Sequence, residues 1–216
     1  LGMIYYYDKY NVKDINKAIH YLTLAANQNH LEAQNKLGML YIKGESIERD
    51  INKSIHYFTL AANQNCLDAQ HNLGMIYYCS QYNRRDINKS IYYFTLAANQ
   101  NHSVAQNKLG LIYDNGDYVE RDINKAIHYF TLAANQNNPA AQLNLGIIFN
   151  RGIYIQRDIN KSIYYFTLAA NQNNPEAQNN LGFIYFEGKY VTRDMNKAIH
   201  YLTLSADQNN VNAQST

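Results

Sequence analysis

Four of the chain's seven histidines, His20, His56, His128 and His200, recur at one or two intervals of 36 residues. A row of imidazoles is the first arrangement here that could do chemistry, by gathering a metal ion. If each interval is one structural unit, successive rings stand about 10 Å apart, whereas metal–nitrogen bonds are about 2 Å long. The row therefore cannot converge on a single ion. Cys66 and Cys79 are the only cysteines. They fall at the two ends of one expected helix, about 20 Å apart at 1.5 Å per residue, too far for a disulfide. No H-E-x-x-H, C-x-x-C, P-loop or S-x-x-K occurs in the chain. The motifs of zinc hydrolysis, dithiol exchange, phosphate cradling and serine acylation are thus missing. A non-catalytic protein with no metal or cofactor is expected.

The elements that would position such residues follow from composition and period. The 216 residues are 46% hydrophobic and 17% charged, with a formal net charge of +2, no Trp and 21 Tyr. Asn and Gln together make 45 residues, yet enough Leu, Ile, Tyr and Ala remain to build a core. Two prolines and ten glycines argue against a β-rich or collagen-like chain. No apolar run approaches the ~20 residues of a membrane span, and the near-neutral charge disfavours an electrostatic nucleic-acid binder. Unpaired cysteines fit a reducing compartment, so an intracellular, cytoplasmic setting is expected. Sequons at Asn52, Asn88, Asn101 and Asn160 have no secretory signal ahead of them, so glycosylation is not expected.

The whole chain is one internal repeat of 36 residues. Gly2, Gly38, Gly74, Gly110, Gly146 and Gly182 are evenly spaced, each after a Leu, and so are Asp14, Asp50, Asp86, Asp122, Asp158 and Asp194. Each unit carries two helical patterns. From about Leu31 to Lys43, the residues Ala33, Leu37, Leu40 and Tyr41 share one helical face. From about Asp50 to Gln64, Ile51, Ile55, Phe58 and Ala62 do the same, with Ser54 and Ala61 beside them and Asp50 placed as the N-cap. Asn138-Pro139 and Asn174-Pro175 read as an N-cap followed by proline at the first helical position. Gly44, Gly116, Gly152 and Gly188 fall where left-handed C-terminal caps belong, while Asp8 and Ser80 replace that glycine and predict two different turns.

The run Ala33-Gln34-x-x-Leu37-Gly38-x-x-Tyr41, followed by Asp50, Lys53, Ser54, Ile55, Tyr57, Phe58, Ala61 and Ala62, resembles the Sel-1-like repeat family, cousins of the tetratricopeptide repeats. The resemblance covers the whole chain. It implies an all-α fold, a right-handed α-α superhelix (solenoid) of six helix-turn-helix repeats, at about 1–30, 31–66, 67–102, 103–138, 139–174 and 175–210. The first is truncated, and 211–216 starts a further helix. It also implies an adaptor role, gathering other proteins. Some cysteine-rich members of the family are linked to penicillin binding, with disulfides joining the two helices of a repeat; Cys66 and Cys79 cannot do this for each other. Neither end looks like the polar cap that a solenoid needs, so a segment of a longer array is expected.

Placing the first helix at 100° per residue puts Ala33, Leu37, Leu40 and Tyr41 on the inward arc, and positions 32, 35, 36, 39, 42 and 43 on the opposite one. That opposite arc varies most between copies. One column reads Met3, Met39, Met75, Leu111, Ile147 and Phe183; the next reads Tyr6, Ile42, Tyr78, Asp114, Asn150 and Phe186; a third includes Asn35, His71, Asn107, Leu143 and Asn179. By the resemblance, first helices line the concave groove, so these residues are the candidate partner-binding surface. Met39, Met75, Tyr78, Leu111, Ile147, Phe183 and Phe186 are its anchors, and Asn35, Asn107 and Asn179 orient the ligand. Drift of surface positions after duplication, or packing of the Met39 column on the adjacent repeat, would give part of the same pattern.

Charge narrows the partner. Three framework columns, those of Arg49, Asp50 and Lys53, hold twelve basic and six acidic residues, leaving seven basic and eleven acidic elsewhere. The variable surface is mildly acidic, so a neutral or weakly basic protein or peptide segment is expected, and no nucleic acid. The basic ladder from Arg49 to Arg193 reads as a rim paired with the adjacent aspartates. On the second helix Leu60, Leu96, Leu132 and Leu168 form a row opposite Ile51, beside the His20 column. It is either a self-association surface or the line along which second helices stack. A structural or self-associating array, and a helical-repeat nucleic-acid binder, are the alternatives to an interaction scaffold.

Overall fold

The computed structural model describes residues 14–45, 47–82 and 84–208. Gly2, Met3, Tyr6, Asp8, the truncated start of the first repeat and the helix expected at 211–216 lie outside the described residues, as does the side chain of Ser80. Eleven α-helices make up the described residues, with no strand among them: α1 (Ile15–Asn27), α2 (Leu31–Lys43), α3 (Ile51–Asn63), α4 (Leu67–Tyr78), α5 (Ile87–Asn99), α6 (Ser103–Asn115), α7 (Ile123–Ala134), α8 (Pro139–Arg151), α9 (Ile159–Ala170), α10 (Pro175–Glu187) and α11 (Met195–Asp207). They group into two compact units, one running to Ala105 and one from Gln106.

Helix starts are fixed by side-chain caps. Asp50 accepts the Lys53 N–H at 2.9 Å and Asp122 accepts that of Lys125 at 2.9 Å, and the same bond recurs at every second helix. That N–H holds the carboxyls of Asp50 and Asp122 below their ordinary value, aided by the lysine ammonium. First helices are capped by Asn138 and Asn174, as expected, and also by histidine: His30 and His102 each accept the third-residue N–H on Nδ1, at 3.4 and 3.1 Å. Gly44, Gly116, Gly152 and Gly188 end first helices at φ between 59° and 70°, as read from the sequence. Where Ser80 stands instead, α4 stops at Tyr78, Cys79 is extended, and a 3-10 turn, Ser80–Tyr82, follows. Second helices end differently. Asn29, Asn65, Asn101, Asn137 and Asn173 take the left-handed conformation, and the next N–H reaches back to the helix, as in Cys66 N to Ala61 O at 3.1 Å.

Within a repeat the two helices are antiparallel and approach closely because a glycine faces a ring. Phe58, Phe94, Phe130 and Phe166 are fully buried against Gly38, Gly74, Gly110 and Gly146. In the first unit α2/α3 and α4/α5 form such pairs, with α1 packed on α2 and α3 on α4; in the second, α8/α9 and α10/α11 pair, with α7 packed on α8 and α9 on α10. A serine hydroxyl locks three pairs further, as Ser54 Oγ donates to Gly38 O at 2.9 Å, with Ser90 and Ser162 repeating it. Tyr41 stacks on Tyr57 at 5.9 Å and 5°, and Tyr77/Tyr93, Tyr113/Tyr129, Phe149/Tyr165 and Tyr185/Tyr201 do likewise.

Neighbouring repeats are tied by a buried glutamine. Gln34, Gln142 and Gln178 each donate from Nε2 to a carbonyl at the end of the preceding repeat (Ala26 at 3.1 Å, Ala134 at 3.3 Å, Ala170 at 3.2 Å). Each also accepts from a glutamine of its own repeat, Gln64, Gln172 and Gln208 respectively, at 2.7–2.8 Å. Oxygen and nitrogen of the amide each have a partner inside an otherwise apolar contact, which is what makes burial of the amide tolerable.

Candidate functional site

The variable arc of the first helices is half-buried rather than open. Met39 and Ile42 pack against a core shared between their own repeat and the next, Phe58 from the first and Leu73 and Ile76 from the second. Leu111 packs against the cluster of Phe130 and Leu145, and Leu143 and Ile147 against that of Phe166 and Leu181. Met39, Leu111 and Ile147 each wedge between their own repeat and the next, and each is half-buried. Met75 and Phe183 are likewise half-buried. Tyr78 is half-buried and tilts against Phe94, with ring centroids 6.4 Å apart.

The polar column is deeper than a helical wheel suggests. Asn107 is 7% exposed and accepts from Asn144 Nδ2 of the next repeat at 3.2 Å; Asn179 is 9% exposed. The Oδ1 atoms of Asn35 and Asn179 are buried without a hydrogen-bond partner among the described residues. His71 stacks on His102, with centroids 4.5 Å apart. Burial pushes the His102 imidazole below its ordinary value, against the opposing pull of Asp68.

Two of the candidates meet at a cavity in the second unit. Asp114, at the end of α6, and Ile147, on α8, line a space of about 100 Å³ with Ile123, Ile148, Ile155, Arg121, Arg151 and the loop residues Ile153 and Tyr154. Arg121 donates to Asp114 at 2.6 Å and lays its guanidinium over the Tyr154 ring at 3.8 Å from the centroid. Asn150 sits beside this cavity in sequence and accepts Arg157 Nε on its carbonyl at 2.6 Å. Phe186 is exposed and borders a separate apolar depression with Met195, Ile199 and Leu202. The helical wheel did not single out the loop residues Ile153 and Tyr154; their apolar character in an exposed turn was the available signal.

The basic rim is satisfied, but not as the sequence suggested. The aspartates pair with the lysine three residues on, Lys53–Asp50 at 3.6 Å and Lys125–Asp122 at 3.2 Å, and those lysines also lie over the stacked rings, Lys53 above Tyr41 at 5.1 Å. Arg49 and Arg157 turn to the carbonyls at the ends of first helices, Lys43 O and Arg151 O, where the helix dipole favours a cation, while Arg121 takes the carboxylate of Asp114. On the second helices Leu60, Leu96, Leu132 and Leu168 are half-buried, while Leu24 and Leu204 are 47% and 38% exposed. His20, His56, His128 and His200 each stand edge-on to the following tyrosine at 5.1–5.2 Å, and no group of three metal-ligating side chains assembles among the described residues. No helix among the described residues is long and apolar enough to cross a membrane.

A family model described as Sel1 repeat matches the chain at residues 1–30, 31–66, 67–102, 103–138, 139–174 and 175–210. The crystal structure of c5321, a protective antigen present in uropathogenic Escherichia coli strains and displaying an SLR fold, superposes with a TM-score of 0.92 at 30% identity, over 99% of this chain and 46% of that one. A Sel1 repeat protein from Oxalobacter formigenes gives a TM-score of 0.86 at 33% identity, over 99% of this chain and 62% of that one. This chain therefore spans less than two thirds of either relative. The immunity protein Pa5087 from Pseudomonas aeruginosa, at 18% identity and a TM-score of 0.52 over 91% of this chain and 74% of that one, shares the fold alone. A search of curated proteins finds no match to the sequence.

Proposed function

The chain belongs to the Sel1 repeat family, and from that premise we propose that it is a non-catalytic interaction scaffold that binds a protein or peptide segment on the outward arc of its first helices. Sel1 repeat proteins generally serve as protein-interaction scaffolds and are typically non-catalytic. The observation that carries the reading is the division of labour within each repeat. The aspartate caps of second helices, the stacked aromatic pairs and the paired glutamines recur from copy to copy, with Phe or Leu at the position that faces the helix glycine, whereas the positions of Tyr78, Asp114, Asn150 and Phe186 differ in size, polarity and charge. A surface that varies on an invariant frame can present a different group at each repeat, and binding energy concentrates on a few aromatic or aliphatic groups with polar neighbours.

The test is affinity capture with mass spectrometry from the native cell, comparing the wild type with Phe183→Ala/Phe186→Ala. Circular dichroism and a thermal melt establish that the variant is folded. Loss of a specific partner from the folded variant supports the reading. Retention of every partner overturns it.

A further inference from the structure

Resting on that reading, we propose that the cavity between the fourth and fifth repeats accepts one large apolar side chain of an acidic peptide segment, a ligand opposite in charge to the one that the average surface favours. Three observations converge there. The first is Ile153, which at 67% exposed is the most open large hydrophobic side chain among the described residues. Its counterparts in the other copies are Lys9, Glu45, Gln81, Asp117 and Lys189, all polar. Only this repeat places an aliphatic group at the cavity mouth, beside Tyr154 at 57% exposed.

The second observation is the size of the space. About 100 Å³ walled by isoleucines holds several waters' worth of volume, the scale of a single side chain. Filling it would remove apolar surface of Ile147, Ile153 and Tyr154 from water, which favours binding.

The third is charge. Among the residues that line the cavity, Asp114 is the one carboxylate, and Arg121 already pairs with it. Arg151 is the second cation, and its guanidinium has no hydrogen-bond or ion-pair partner among the described residues. Its counterparts Tyr7, Lys43, Cys79, Asn115 and Glu187 include no other arginine. Arg157 nearby spends its donors on the carbonyls of Asn150 and Arg151, so its charge is not neutralised by a carboxylate. A ligand that brings carboxylates beside its apolar anchor pairs with Arg151 without displacing Arg121 from Asp114.

The experiment uses three fluorescein-labelled hexapeptides with blocked C-termini, each with a Leu-Phe centre, flanked by Asp and Glu, by Ser, or by Lys. Binding to the full chain is read by fluorescence anisotropy. The acidic peptide is expected to bind at least about tenfold tighter than the Lys-flanked one, with the Ser-flanked one between, and to weaken with added salt. Arg151→Glu should cost the acidic peptide about tenfold and reverse the order, Arg151→Lys should preserve it, and Ile153→Ser should weaken all three peptides. Both replaced residues are exposed, and circular dichroism confirms the fold. Equal binding of the three peptides, or an Arg151→Glu variant that binds like the wild type, overturns the proposal. If that happens while Phe183→Ala/Phe186→Ala still loses its cellular partner, the wider scaffold reading stands and only the cavity's assignment falls.

Discussion

Gly74 lies directly beneath the ring of Phe94, so that a Cβ added at Gly74 would stand 2.5 Å from Phe94 Cδ1. The ring is fully buried and has no room to retreat. Gly74→Ala should therefore destabilise by about 1–3 kcal/mol although alanine favours helix, and Phe94→Ala by about 3–5 kcal/mol. In the double variant the clash is gone, so the sum of the two single effects should exceed the measured loss. Urea unfolding followed by circular dichroism gives all three values.

Asn137 holds φ at 59° to close the turn between α7 and α8. Asn137→Gly should leave stability within a few tenths of a kcal/mol, while Asn137→Ala should cost about 1–2 kcal/mol, because a Cβ is strained in the left-handed region. Thermal melts of the two variants decide it, and equal melting would count against the turn's role.

Gln142 is fully buried, donates to Ala134 O and accepts from Gln172. Gln142→Leu keeps the volume and removes both bonds, leaving a buried carbonyl alone. A loss of about 1–3 kcal/mol in chemical denaturation is expected. Hydrogen exchange should show the loss at the end of α7, the side that receives the bond.

His102 caps α6 only while Nδ1 is unprotonated, since it accepts the Ala105 N–H. Burial lowers its folded value below the ordinary 6.5. A group that stays neutral in the fold but protonates when unfolded contributes its full stability above 6.5, and loses it as pH falls from 6.5 through the lowered folded value. The melting temperature should drop on acidification below 6.5. His102→Asn keeps a capping acceptor and should flatten that part of the profile.

Period, helix limits and most caps were legible from the sequence because they are local: Asp50 bonds three residues ahead, and Gly44 closes its own helix. The depth of Asn107 and the half-burial of Met39 were not. Both depend on how far the next repeat overlaps the first helix, which a wheel drawn for one helix cannot contain. Gln34 stood in the recognised motif without a role, since its partners Ala26 and Gln64 lie 8 and 30 residues away. The arginine ladder was read by adjacency to aspartate. A residue next to the N-cap cannot turn back onto it as easily as the lysine one helical turn on, so Lys53 takes Asp50 and Arg49 goes to the carbonyl of Lys43. At the candidate site, Asp114 and Ile147 were named from their columns, whereas Ile153 belongs to a turn that columns of helix positions do not sample.

The glutamine bridge also bears on inheritance. Gln34, Gln142 and Gln178 each meet the same chemical group, an alanine carbonyl at the end of the unit before. A recombination that deletes or duplicates one whole unit rejoins the chain with that partner still in place. Gene length could then change by crossing-over between copies while the junction stays chemically intact, and selection would act on the order of variable residues rather than on repairing the seam.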